Sequence, residues 1–156
     1  MEIYYDSLLN LINNNTIFIK KIVNSYIKLI NQLSNTAINN PSEFIINLNL
    51  INKSGIIYIA FINDVNSDDF IIIGTGTCYI EPKIIHNFKN VGHIEDIAVD
   101  IEFRGKGLIH NILTYLKNYA KNNNCYKIIL DCHESLVKVY SKSDFEVKGV
   151  QMTIYF

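Results

Sequence analysis

Between positions 17 and 33 the apolar residues Ile19, Ile22, Val23, Tyr26, Ile27, Ile30 and Leu33 recur every three or four places, the stripe of a helix with one buried face. Asn40-Pro41-Ser42-Glu43 then supplies an N-cap, a proline at the first helical position and a carboxylate three residues past the cap, which predicts a second helix running to about Leu50. From Gly55 the spacing changes. Runs over 55–61 and 70–80 are β-branched and aromatic, and the Asn63-Asp64 and Ser67-Asp68-Asp69 turn residues between them predict a hairpin with a longer loop. Residues 82–90 read as a loop and 92–99 as a further strand ending at Asp100. Ile109, Ile112, Leu113, Leu116 and Tyr119 place a helix over 108–121, followed by a strand over 126–132, a short helix over 135–141 and a closing strand over 145–156. Helices first, then a meander, then alternating strand and helix predict a mixed sheet flanked by helices, in one domain spanning 1–156 without repeat or linker.

Composition narrows the partners. At 156 residues and 49% hydrophobic, the chain has enough apolar surface for one core. Its 14 basic and 15 acidic residues give a net charge of −1, so it lacks the one-sided positive field that nucleic acid or an anionic membrane attracts. No apolar run reaches bilayer-spanning length. The acidic, polar start Glu2-Ile3-Tyr4-Tyr5-Asp6 is unlike a secretory signal, and with three cysteines (Cys78, Cys125, Cys132) the expectation is a cytoplasmic protein with reduced thiols. No close Cys/His spacing suggests a metal.

The chemistry gathers after the 92–99 strand. Phe103-Arg104-Gly105-Lys106-Gly107-Leu108 sits between strand and helix, where small residues let a diphosphate reach the unpaired amides of the helix start and two cations add charge. Arg-Gly-Lys-Gly alone serves equally well as an ordinary turn with two solvated cations. The loop matches neither the dinucleotide fingerprint nor the Walker loop.

Its neighbours favour the anion site. Val91-Gly92-His93-Ile94-Glu95-Asp96-Ile97-Ala98-Val99-Asp100 running into that loop resembles the core motif of the GNAT acetyltransferase superfamily. Within it, Gly-His-Ile-Glu-Asp before Ile-Ala-Val, then 125–132, then Gly149-Val150-Gln151-Met152, resemble the glucosamine 6-phosphate N-acetyltransferases. The resemblance is close over 92–156 and extends to the first 80 residues only in element order.

The resemblance implies a GNAT fold of α/β (α+β) class, with a mixed, mostly antiparallel, splayed sheet. It implies acetyl-CoA as co-substrate, without metal, and an amino sugar phosphate as acceptor. Ile97, Ala98 and Val99 would offer backbone to the thioester and pantetheine; Arg104, Gly105, Lys106, Gly107, Leu108 and Ile109 would hold the pyrophosphate; Tyr140 would lie near the coenzyme A sulfur. Glu95 and Asp96 would stand at the sugar, Asp131 would orient the amine, and Thr36 would touch substrate. A homodimer with pockets shared between chains is implied as well.

The residues have readings of their own. A positioned tyrosine hydroxyl can protonate a leaving thiolate, whereas the commoner fate of a tyrosine is a half-buried ring. Strand alternation predicts that Glu95 and Asp96 point to opposite faces, and a solvated edge is their alternative. For Asp131 the alternative is an N-cap of the segment at Ser135. His93 and His133 read as surface or structural residues. Three positions depart from the family pattern: Ile109 where glycine or alanine is usual, Leu136 where relatives carry asparagine, and Tyr155 where some carry an arginine for the sugar phosphate. Lys83, Lys89 or Lys148 are candidate replacements for that arginine. The readings that compete with sugar acetylation are a GNAT enzyme acting on a protein N-terminus, lysine or polyamine, and a coenzyme A-binding module without catalysis.

Overall fold

In the computed structural model, residues 2–36, 38, 40–64 and 69–156 are described, and they build a five-stranded sheet in the order β1-β2-β3-β4-β5. The strands are β1 (Tyr4–Ser7), β2 (Gly55–Asp64), β3 (Asp69–Glu81), β4 (Asn90–Val99) and β5 (Cys125–Leu130). The helices are α1 (Leu8–Asn14), α2 (Ile19–Ile30), α3 (Pro41–Ile51), the short turn α4 (Ile85–Phe88), α5 (Leu108–Asn122) and α6 (Val137–Ser141). Every strand pair is antiparallel except β4 with β5, which run parallel and are joined through α5. The 65–68 part of the predicted hairpin loop lies outside the described residues.

Two apolar layers hold the sheet. On one face Leu8, Ile22, Val23, Leu29, Phe44 and Leu48 from α1, α2 and α3 cover Ile57, Ile59, Ile72 and Ala98. On the other, Leu108, Ile112, Leu113, Leu116 and Ala120 of α5 cover Ala60, Ile73, Cys78 and Ile94. The glycines of β3 make room for α5: a Cβ at Gly76 would lie 2.9 Å from Ile112 and 3.1 Å from Leu116. The second helix begins as the sequence dictates, with the Asn40 side chain accepting from the Ser42 amide and Pro41 at the first position.

Three expectations change. No pattern before position 17 predicts a strand or helix, yet β1 pairs with β2 from Tyr4↔Phe61 to Ser7↔Tyr58, and Ser7 caps α1 by accepting from the Asn10 amide. Four residues are too few to announce a strand without the partner that completes it. The predicted closing strand over 145–156 is not formed: these residues pair with no strand, and Val150, Met152, Tyr155 and Phe156 are exposed. Their alternation suits a sheet, but propensity supplies no partner. The 82–90 loop contains a tight turn in which His86, Asn87 and Phe88 all have positive φ.

Candidate active site

The site follows from an irregularity in β4. Thr75 faces Ala98 and Thr77 faces Glu95 across the β3–β4 ladder, so three steps on β4 match two on β3. This is a β-bulge at Asp96 and Ile97. Asp96 takes φ 52°, a left-handed conformation that aspartate tolerates better than most side chains. The parallel pairing with β5 ends just before it, at Ile94↔Leu130, so the two strands part beyond that point. Asp96 and Ile97 thus lack a ladder partner on either side.

The bulge overturns the expectation that Glu95 and Asp96 face opposite ways. Ile97 packs toward α5, against the position of a Gly76 Cβ, while Ala98 belongs to the layer under α2 and α3. Glu95 shares the α2 face with Thr77, and Asp96 lines a cavity with Tyr26 of α2 and Phe44 and Leu48 of α3. Both carboxylates therefore turn to the same side. Partial burial pushes the Glu95 pKa up, and the nearby Asp96 and Asp131 carboxylates push it further, against a smaller downward pull from His93. Three carboxylates grouped in this way attract an ammonium group, and the one with raised proton affinity is suited to take its proton.

Asp131 follows β5 and accepts a hydrogen bond from Gln151 Nε2 at 3.0 Å. It does not cap the next helical turn; that role falls to His133, whose Nδ1 accepts from the Ser135 amide. Tyr140 of α6 is 8% exposed, edge-on to Phe145 at 6.2 Å. Burial first, then the neighbouring Cys132, pushes its hydroxyl pKa up, so it carries its proton at neutral pH.

The loop between β4 and α5 presents an anion cradle. Gly105 (φ 78°) and Gly107 (φ 80°) hold left-handed turns, and a Cβ on either would meet nothing within 4 Å. Gly107 is the N-cap of the 15-residue α5 and brings no side chain to its first-turn amides. Arg104 Nε donates to the Val99 carbonyl at 3.2 Å, and the Lys106 ammonium lies 4.5 Å from the Phe103 ring centre. Ile109 is partly buried and packs against the α5 core layer. Leu136 is exposed.

Not all predicted residues join the cluster. Thr36 is held locally, its amide donating to Asn31 Oδ1 and its hydroxyl to the Ser34 carbonyl. Tyr155 is exposed in the C-terminal segment. Lys83 is paired with Glu81, and Lys148 with Glu146 at 3.2 Å. Glu81 also bonds His93 Nε2 at 2.7 Å, which orients a histidine that the sequence marked only as structural. Nothing in the sequence marks Gln151 or Tyr26 as neighbours of the carboxylates: Gln151 stands in the Gly149–Met152 segment with no chemistry of its own to signal a role, and Tyr26 reads as one more apolar position of the α2 stripe. The three cysteines are free, and burial lifts the Cys78 thiol pKa to about 12. Among the described residues no group of three His, Cys, Asp or Glu side chains is placed to hold a metal, and no helix is long and apolar enough to cross a membrane.

Known proteins resemble this chain in sequence and in fold. The chain is 45% identical to a glucosamine 6-phosphate N-acetyltransferase of Dictyostelium discoideum over 114 residues, covering 72% of this chain and 71% of that one. A probable glucosamine 6-phosphate N-acetyltransferase of Oryza sativa subsp. japonica is 37% identical over 134 residues, covering 84% and 80%. The crystal structure of glucosamine-6-phosphate N-acetyltransferase from Arabidopsis thaliana superposes with a TM-score of 0.84 at 30% identity, over 100% of this chain and 99% of that one. The family model for acetyltransferases of the GNAT type matches residues 27–145, and with the bulged strand, the parting of β4 from β5 and the glycine cradle in place, the chain belongs to the GNAT acetyltransferase family.

Proposed function

We propose that the chain is one N-acetyltransferase domain over 1–156, which moves the acetyl group of acetyl-CoA to the 2-amino group of D-glucosamine 6-phosphate. The products are N-acetyl-D-glucosamine 6-phosphate and coenzyme A, feeding UDP-N-acetylglucosamine synthesis. The observation that carries this reading is the meeting, at one bulge, of a carboxylate cluster for an ammonium substrate with a strand that leads directly into an anion cradle. The names and identities of the relatives above support the particular amine.

The cradle fits a diphosphate: residues 105–108 present backbone amides at the helix start, with Arg104 and Lys106 beside them and Ile109 packed against the α5 core layer. Bound there, acetyl-CoA supplies an activated acyl carbonyl and a good leaving group. Glu95 takes the proton from the substrate ammonium, directly or through water, and frees the amine lone pair. Asp96 and Asp131 orient the amino sugar. The backbone of Ile97, without a ladder partner, hydrogen-bonds the carbonyl oxygen as charge develops on it, and Ala98 and Val99 align the acyl arm. Tyr140 donates its proton to the departing sulfur. Proton transfer and alignment suffice for an amine attacking a thioester, so Cys132 has no covalent task.

The working assembly is a homodimer in the cytoplasm. The exposed apolar C-terminal segment supports the pairing, because side chains such as Val150, Met152 and Phe156 gain from cover by a second chain. The test is thiol release from acetyl-CoA with glucosamine 6-phosphate, glucosamine, a polyamine and a peptide amine. Selective release with the phosphosugar is expected. Release only with another amine moves the substrate class, and coenzyme A binding without release makes the chain a non-catalytic module.

A further inference from the structure

The far end of α5 borders a second cavity. It has a volume of about 310 Å³ and lies between the last turns of α5, the outer strand β5 and the turn at 143–145. At about 1.5 Å per residue, Lys117 and Lys121 lie roughly 15 and 21 Å along α5 from its N-cap Gly107, so this cavity is separate from the glycine cradle. It also shares no lining residue with the cavity beside α2 and α3.

Its charge is one-sided. On a chain whose net charge is −1, Lys117 and Lys121 of α5 and Lys127 of β5 meet here, and Asp144 is the only carboxylate among the described lining residues. Asp144 is taken up by Lys117, whose ammonium lies 3.1 Å from it and donates to the Ser143 carbonyl at 3.1 Å. Lys121 and Lys127 have no carboxylate partner among the described residues. Burial pushes the Cys125 thiol pKa up, so no thiolate offsets the two cations. Cations gathered with so little counter-charge repel one another, and a bound anion relieves that repulsion. A cation in the last turn of α5 also complements the helix dipole, which accounts for Lys121 but not for Lys127 on the neighbouring strand.

We propose that this cavity binds a phosphate-bearing small molecule, with Lys121 and Lys127 on the phosphate and Tyr126 and Phe145 against the rest of the ligand, and that its occupancy is felt at Tyr140. Lysine ammoniums serve phosphate as point charges, and sites for small molecules begin at roughly this volume. The link to Tyr140 is short. Its carbonyl accepts from the Ser143 amide at 2.8 Å and the Phe145 amide at 3.3 Å, and the two rings meet edge-on. What Tyr140 does for a leaving thiolate rests on the function proposed above; the anion site does not.

The test titrates nitrogen-15-labelled protein with inorganic phosphate, adenosine monophosphate and ribose 5-phosphate at constant ionic strength, in the wild type and in Lys121→Gln/Lys127→Gln. Saturable amide shifts at 121–128 and 143–145 are expected at about millimolar affinity, weakened roughly tenfold in the double variant. Shifts at 105–108 report the cradle and serve as the internal control, unchanged between the two proteins. Both lysines are exposed, so the variant should fold and melt as the wild type does. Whichever ester binds more tightly than inorganic phosphate identifies the carrier that the apolar lining takes, and the Tyr140 ring resonances should follow the same curve. Shifts confined to the cradle, or shifts at 121–128 equally strong in the variant, overturn the site. A Tyr140 ring that stays still while the site fills overturns the coupling. None of these readings needs turnover, so a wrong amine acceptor shows in thiol release and leaves them standing.

Discussion

Gly107→Ala separates the two duties of the cradle, because Gly107 both takes a left-handed turn and leaves open the space in front of the α5 amides. A methyl group there would touch nothing within 4 Å, so the folding cost is backbone strain alone, about 1–2 kcal/mol. For a chain of this size each kcal/mol moves Tm by about 2–4 °C, so the unliganded protein should melt roughly 2–8 °C lower. If the loop holds the cofactor as proposed, the same methyl group projects to where a diphosphate meets the amides. A hydrogen bond to a charged group is worth about 1.5–3 kcal/mol, so losing one raises the KM for acetyl-CoA roughly ten- to hundredfold. Gly107→Asn divides the two effects: asparagine adopts the left-handed turn with less strain, so Tm recovers while its side chain still fills the cradle and KM stays high. The assays are a thermal melt without ligand and thiol release against acetyl-CoA concentration. If Tm falls as expected while KM is unchanged in both variants, this loop does not bind the cofactor.

Glu95→Gln is expected to lower turnover by about 10²–10⁴-fold, as for a lost general base. Because the folded-state pKa of Glu95 is raised, its ionised form disfavours the fold above that pKa and the penalty is relieved as pH falls toward the unfolded value, so Glu95→Gln should melt no lower than wild type at neutral pH. Tyr140→Phe should retain acetyl-CoA binding and lose turnover by about 10²-fold or more; unchanged turnover would reduce Tyr140 to packing. Leu116→Ala removes a fully buried side chain from over Gly76 and should cost about 2–5 kcal/mol, read by urea unfolding, with a loss under 1 kcal/mol refuting the packing described. Sedimentation should give twice the chain mass, and a fully active monomer would refute the dimer.

Sequence reasoning worked best where local chemistry decides. Asn40 and Pro41 dictate where α3 begins whatever packs above it, and two glycines alternating with two cations mark the cradle because their requirement is a backbone one. It failed where a remote partner decides. Tyr4 to Ser7 become a strand only because β2 accepts them, and residues 145–156 alternate suitably yet pair with no strand. The bulge is the instructive failure: nothing in Glu95-Asp96-Ile97 signals that alternation breaks, so a rule sound for regular strands assigned the carboxylates to opposite faces. The grouping of the carboxylates on one face arises from that break.

The bulge also divides β4 in its motions. From Val91 to Ile94 the strand is paired on both flanks, while at Asp96 and Ile97 it is paired on neither. Local opening is easiest where ladder partners are fewest, so amide protons at these two positions should exchange with solvent sooner than those two turns of side chain away on the same strand. A ligand that pairs with this stretch would quiet it and leave Val91 to Ile94 unchanged. The protein would thus report occupancy of its cleft through two neighbouring amides, by a change in rate and without any change in shape.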